Sequence, residues 1–150
     1  MREKKQLSKS TIKFYEIPKW GRYLRGKWEA SFASHLSTVE KEAIYFKSFL
    51  WHLCSWEKVD CYEKHDAIKM FERQEKMKCT IFYEHTEEAY LIDNAKNLSV
   101  KDLPHDQFHM YYGDMYVMDW NGQWTFIMTH ESECGPYFIN ASRKSKKRSK

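Results

Sequence analysis

Apolar positions change their spacing along the chain, and each change predicts an element. Ile12, Phe14 and Ile17, with Tyr15, read as a short strand that stops at Pro18. Pro18, Gly21 and Gly26 punctuate the following ten or so residues into a loop or broken turn. Trp28, Phe32 and Leu36 then recur at four-residue intervals, one stripe of a helix. Ser37 followed by Glu40 has the spacing of a capping box, in which serine accepts an amide and glutamate reaches back. A second helix is predicted there, with Val39, Ala43, Phe46, Leu50 and Leu53 on its buried stripe. Phe49 to Trp56 is apolar nearly all round, which places that helix centrally. Lys58 to Lys64 is a polar break, and Asp60 with Glu63 offers a weak cap. Ala67, Ile68 and Phe71 mark a third helix ending near Lys76.

Beyond Lys76 the period becomes alternating. Cys79–Glu84 and Ala89–Asp93 read as two strands joined by His85-Thr86-Glu87-Glu88. Lys96–Phe108 is a long connection with room for a short helical turn. The strongest signal follows, Asn121-Gly122 between two runs rich in aromatic and β-branched residues. A two-residue turn there sets Trp120 opposite Gln123, Val117 opposite Phe126 and Met115 opposite Met128. Alternation then gives Met115, Val117, Trp124, Phe126, Met128 and His130 one face. Tyr116, Met118, Trp120, Ile127 and Thr129 share the other. Neither face is polar enough for water, so the hairpin should be covered on both sides. Helices first and strands after predict an α+β fold, with N-terminal helices packed on one side of a four- to five-stranded antiparallel sheet that ends in a C-terminal hairpin. The expected organisation is a polar lead-in over 1–10, a single domain over 11–140 and a basic tail over 141–150.

Composition sharpens this in one respect. The 150 residues are 42% hydrophobic and 31% charged, a globular balance, and 17% are aromatic. The net charge of +4 hides an acidic body with basic ends. Arg143, Lys144, Lys146, Lys147, Arg148 and Lys150 give the last eight residues +6, residues 1–13 carry +4, and 14–142 hold −6. Any nucleic-acid contact is therefore assigned to the tail, through phosphate neutralisation, and not to the folded body. The tail has no interleaved aromatic for stacking on bases, so solubility is its plainer role. Cys54, Cys61, Cys79 and Cys134 show no paired spacing, and no apolar run after Met1 suits a secretory leader. Reduced, mostly packed thiols in the cytoplasm are the expectation, with no membrane association.

Chemistry concentrates after the hairpin. Thr129-His130-Glu131 closes a strand and opens into Gly135-Pro136, a place where a sheet can hold a base beside a loop. His130 could transfer a proton, oriented by Glu131, Glu133 or Asp114. The alternative is a histidine that caps the sheet edge. A metal set can be composed from His105, His109, His130 and Cys134, but Pro104 and the strand character near His109 disfavour the helical spacing it needs. No nucleophile elbow, phosphate loop or dinucleotide fingerprint exists, and no cofactor is expected. Trp51, His52 and Trp56 read as packing. Glu84, Glu87, Glu88 and Asp93 form the densest acidic patch, and with Trp120 and Tyr137 they make a candidate surface for a basic protein partner.

One resemblance spans much of the chain. Trp20-Gly21, Leu24, Lys27-Trp28-Glu29, Phe32 and Leu50-Trp51-His52 form one set. Met115-Tyr116-Val117-Met118-Asp119, Trp124-Thr125, Thr129-His130-Glu131 and Gly135-Pro136-Tyr137-Phe138 form the other. Together, over roughly residues 15–139, the chain resembles a family of small bacterial proteins labelled domain of unknown function 4275. That family brings no established activity. It is similar in size and style to single-domain proteins encoded beside secreted toxins. The resemblance implies a non-enzymatic immunity protein or antitoxin that covers a toxin's active surface. Two other functions stand beside it: a small enzyme built on His130 and a carboxylate, and a nucleic-acid-associated protein acting through its tail.

Overall fold

The computed structural model describes residues 12–105, 114–131 and 133–141. The lead-in over 1–10, His109 and the basic run Arg143–Lys150 lie outside the described residues. Among the described residues seven antiparallel strands form one sheet: β1 Tyr15–Glu16, β2 Tyr62–Glu63, β3 Cys79–Tyr83, β4 Ala89–Ile92, β5 Met115–Asp119, β6 Trp124–Met128 and β7 Tyr137–Asn140. Their order across the sheet is β1-β4-β3-β5-β6-β7-β2. Four α-helices are described: α1 Gly21–Phe32, α2 Thr38–Ala43, α3 His52–Ser55 and α4 Lys64–Arg73. The chain is α+β with an antiparallel sheet, as expected, but the sheet is wider than four or five strands. Both outermost strands are two residues long, too short to leave an alternating pattern, and short edges also resist pairing with other chains.

Alternation along the central strands splits the interior into two cores. On one face Phe82, Tyr116, Met118, Ile127, Tyr137 and Ile139 meet Leu24, Trp28 and Phe32 of α1 and residues 44–54. On the other, Ile81, Tyr83, Met115, Val117, Trp124, Phe126 and Phe138 meet Ala67 and Phe71 of α4, with Leu98 and Leu103 of the long connection. Helices therefore cover both faces, a correction to the one-sided packing expected above. The physical reason is that β3, buried at every position, and β5 and β6, apolar on both sides, cannot leave either face to water. Phe71 stacks on Phe126 with centroids 4.5 Å apart, and Trp28 meets Tyr116 edge-on at 5.5 Å.

The hairpin register is the expected one, with Met115↔Met128 and Val117↔Phe126. Its turn differs. The strands stop at Asp119 and resume at Trp124, and Gly122 N–H closes on Asp119 C=O at 2.9 Å. Only Gly122 of the expected dipeptide takes a positive φ, 70°. The Asp119 carboxylate accepts Gln123 N–H at 2.9 Å, which stabilises a wider turn than the two-residue one.

Two helical expectations also change. Gly21 begins α1 and Gly26 lies inside it, where a loop was expected. A β-carbon on Gly21 would stand 2.3 Å from Thr86 O, so this glycine serves close approach to the β3–β4 turn. The capping box at Ser37 forms as predicted: Glu40 N–H donates to Ser37 Oγ at 3.1 Å and Ser37 N–H to Glu40 Oε1 at 2.8 Å. The helix it starts ends after six residues, and Val39 is exposed. Phe46 N–H reaches Lys41 C=O and Tyr45 N–H reaches Glu42 C=O, the two bonds of a Schellman ending, with Tyr45 at φ 56°. This early stop lets Ile44, Phe46 and Leu50 reach the core from bent chain and Leu53 from the short α3, where one straight helix was expected. No helix among the described residues is long and apolar enough to cross a membrane.

Candidate functional site

Antiparallel pairing brings the end of β3, the start of β5 and the end of β6 to the same end of the sheet. Glu84 follows β3, Asp114 precedes β5, and His130 lies two residues past β6. Glu84 N–H donates to Asp114 C=O at 2.9 Å, which ties the first two together. The segment Phe49–His52, arriving from the helical layer, lies over all three.

Asp114 is fully buried. Its Oδ1 accepts the main-chain N–H of His130 at 2.6 Å and lies 2.7 Å from Nδ1 of the His130 ring. Its Oδ2 accepts the indole N–H of Trp51 at 2.7 Å. Nδ1 faces a carboxylate, so it carries the proton, and the other ring nitrogen becomes the working atom. That atom, Nε2, stands 3.2 Å from Glu131 Oε2. The His130 side chain is 44% exposed and Glu131 52%. The Asp114 bond, with the charges of Asp114 and Glu131 behind it, raises the His130 pKa although partial burial opposes the shift.

Behind Asp114 lies a second buried carboxyl. Glu84 is 4% exposed, and both its oxygens accept Leu50 N–H at 3.2 Å. Tyr116 donates its hydroxyl proton to Glu84 Oε1 and accepts Trp51 N–H at 3.1 Å. Burial pushes the Glu84 carboxyl up to about 8, with Asp114 adding to the rise and the bonds from Tyr116 and Leu50 opposing it. Burial, with Glu84 beside it, also pushes the Tyr116 hydroxyl well above its ordinary value. Aromatic rings wall the exposed side: Phe49 lies 6.0 Å from the His130 ring, 5.9 Å from His85 and 5.1 Å from His52.

The candidate catalytic residues His130, Glu131 and Asp114 are thus brought together. His130 does not follow the parity of Phe126, as alternation had implied. The strand ends at Met128, and the Thr129 hydroxyl bonds the carbonyls of Glu131 and Cys134, which turns the loop so that His130 lies on the Tyr116 side. Reading Trp51 as packing alone misses its bond to Asp114. A buried indole N–H needs an acceptor, which is the signal that could have found it.

The candidate acidic surface is rearranged. Glu84 is in the interior, because it shares the parity of Phe82. Tyr137 is 3% exposed and stacks on Trp51. Glu87 binds Arg25 at 3.1 Å and accepts Arg22 N–H at 3.0 Å at the start of α1, which lowers its pKa. Glu88 accepts the Tyr90 hydroxyl at 3.2 Å, and Asp93 is exposed. Trp120 is half-buried, with the ammonium groups of Lys27 and Lys78 at 5.0 and 4.2 Å from its ring. Glu84 and Tyr137 accordingly cannot serve a surface contact.

Of the metal candidates, His105 Nδ1 sits 3.1 Å from Leu103 O, while His130 is held by Asp114. Among the described residues no three His, Cys, Asp or Glu side chains are grouped to hold a metal ion. The four cysteines are unpaired thiols, with Cys54 and Cys79 buried.

No curated protein matches the chain, and no solved structure does. Residues 1–138 match the family described as Domain of unknown function (DUF4275), and the chain belongs to that family.

Proposed function

We propose that the chain is a proton-transfer enzyme whose general acid and base is His130. One observation carries this reading: a fully buried carboxyl holds Nδ1 of a half-exposed imidazole at 2.7 Å. Such a carboxyl fixes the tautomer and the direction of the ring, so that Nε2 presents one proton along a set line. With carboxylates facing both nitrogens, the imidazolium is the favoured resting form, and the first step it suits is donation to a leaving atom. Glu131, exposed and able to swing, takes part in returning the proton. A buried polar string of Glu84, Tyr116, Asp114 and Trp51 is costly for a small core, and clusters of shifted pKa values concentrate at functional sites.

The test uses purified protein against chromogenic esters, phosphoesters, glycosides and peptides. Turnover that falls about 100-fold or more in His130→Gln, with a pH profile that follows the His130 ring titration seen by NMR, supports the reading. Absence of turnover across the four classes, or turnover unchanged in His130→Gln, overturns it.

A second reading is the immunity protein. It rests on Trp20, 37% exposed, and Tyr23, 58% exposed, whose rings meet at 5.0 Å on the surface of α1 and its lead-in. Exposed Trp and Tyr are the side chains that most often anchor protein interfaces. Co-purification with a toxin encoded nearby, lost in the Trp20→Ala, Tyr23→Ala double variant, supports it. Failure of the protein to rescue cells from any such toxin counts against it.

A further inference from the structure

Asp114 can direct His130 only if its own carboxyl plane is held. Oδ1 takes both contacts from His130, at 2.6 and 2.7 Å, and a tilt of the carboxyl about the Cβ–Cγ bond would lengthen and misalign them. The main-chain N–H of His130 pins Oδ1, and among the described residues the donor that pins the other oxygen, Oδ2, is the indole N–H of Trp51 at 2.7 Å; the two together fix the carboxyl plane. Trp51 is itself fixed from three directions. Its ring stacks on Tyr137 at 6.2 Å with 21° between planes, its edge meets His130 at 6.4 Å, and its main-chain N–H is bound by Tyr116. Trp51 is 4% exposed and Asp114 fully buried, so the bond lies in the interior, where it is stronger than at the surface.

We propose that Trp51 is the positioning residue of this site: its indole N–H orients the Asp114 carboxyl so that Oδ1 meets Nδ1 of His130 and Nε2 faces outward. This rests on the proton-transfer reading for its purpose, though not for its test. Among the described residues, the ionisable groups around His130 include Asp114 and Glu131 in contact, Glu84 and Tyr116 behind Asp114, His52 and His85 across Phe49, and Tyr137 behind Trp51.

Trp51→Phe keeps a ring in the core and removes the donor. NMR titration of the His130 ring then reads the geometry directly, with no substrate. In the variant the titration midpoint falls toward the ordinary imidazole value of about 6.5. The Nδ1–H resonance disappears by exchange with water. A midpoint that is unchanged or raised overturns the proposal, including when thermal stability drops, because a purely structural tryptophan would lower stability alone. If Trp51→Phe does not fold, the wild-type protein decides: the Trp51 indole N–H shift follows the His130 midpoint if the two share one carboxyl. An indole shift independent of that titration overturns the proposal. Absence of enzymatic turnover with the expected His130 response would remove the enzyme reading and leave the positioning role intact.

Discussion

Glu84 is the residue at which chemistry and stability oppose each other most directly. Its carboxyl ionises at about 8 in the folded protein against 4.5 for an ordinary glutamate. Between those values the folded chain holds a proton that the unfolded chain has released, so stability falls as pH rises from about 4.5 to about 8. His130 acts in the same direction. Its raised pKa makes a contribution present at low pH, and this is lost as pH climbs through the folded value. Glu84→Gln keeps an acceptor for Leu50 and Tyr116 but cannot ionise. Denaturant titrations from pH 5 to 9 should show the variant gaining on the wild type by about 4 kcal/mol at the alkaline end. Parallel curves across that range would mean that Glu84 does not titrate in the fold. Its interior position was legible in principle, since Thr80, Phe82 and Glu84 share one parity and Phe82 is core. Charge alone suggested a surface instead, because a carboxylate is rarely buried unless partners await it. Those partners, Leu50 and Tyr116, come from 34 and 32 residues away.

The hairpin of β5 and β6 shows what an element owes to local pattern and what it owes to its neighbours. Its register followed from alternation around Asn121-Gly122. The turn shape did not, because Asp119 supplies a side-chain acceptor and α1 packs against the tip. A β-carbon on Gly122 would lie 2.4 Å from Ser31 Oγ, at a φ of 70°. Gly122→Ala therefore meets both backbone strain and a contact with α1, and should cost about 1–3 kcal/mol by chemical denaturation. A cost below about 0.5 kcal/mol would show that the tip is not held against the helix. The helix expected from Ser37 to Leu53 illustrates the converse. Its capping box was readable, since the two bonds join residues three apart. Its ending was not, because Tyr45 enters the left-handed region without a glycine to announce it. Burial of Ile44 and Phe46 offsets that local cost.

At the scale of the whole molecule, one sheet separates two apolar cores. Phe46 belongs to the core beneath α1, and Phe71 to the core beneath α4. Phe46→Leu and Phe71→Leu should each cost about 1–2 kcal/mol, because each removes ring contacts and leaves a partial cavity. The two costs should add within about 0.5 kcal/mol, since Phe46 packs against Trp28 and Lys41 on one face and Phe71 against Trp124, Phe126 and Lys76 on the other. A single cooperative transition should persist in the double variant; two separate transitions would mean that the faces unfold independently.

The amino-acid order by itself determined what depends on near neighbours: strand parity, the hairpin register, the Ser37 cap, the third helix and the α+β class. It also brought His130, Glu131 and Asp114 forward as partners, since a short hairpin returns one strand end beside the other's start. Only the tertiary structure decided which groups are buried together, as with Trp51 and Asp114, 63 residues apart. Periodicity reports which side a residue faces within its own element. It carries no information about which distant element meets that side, and the dielectric and hydrogen bonds that set the chemistry of a carboxyl or an imidazole come from that meeting.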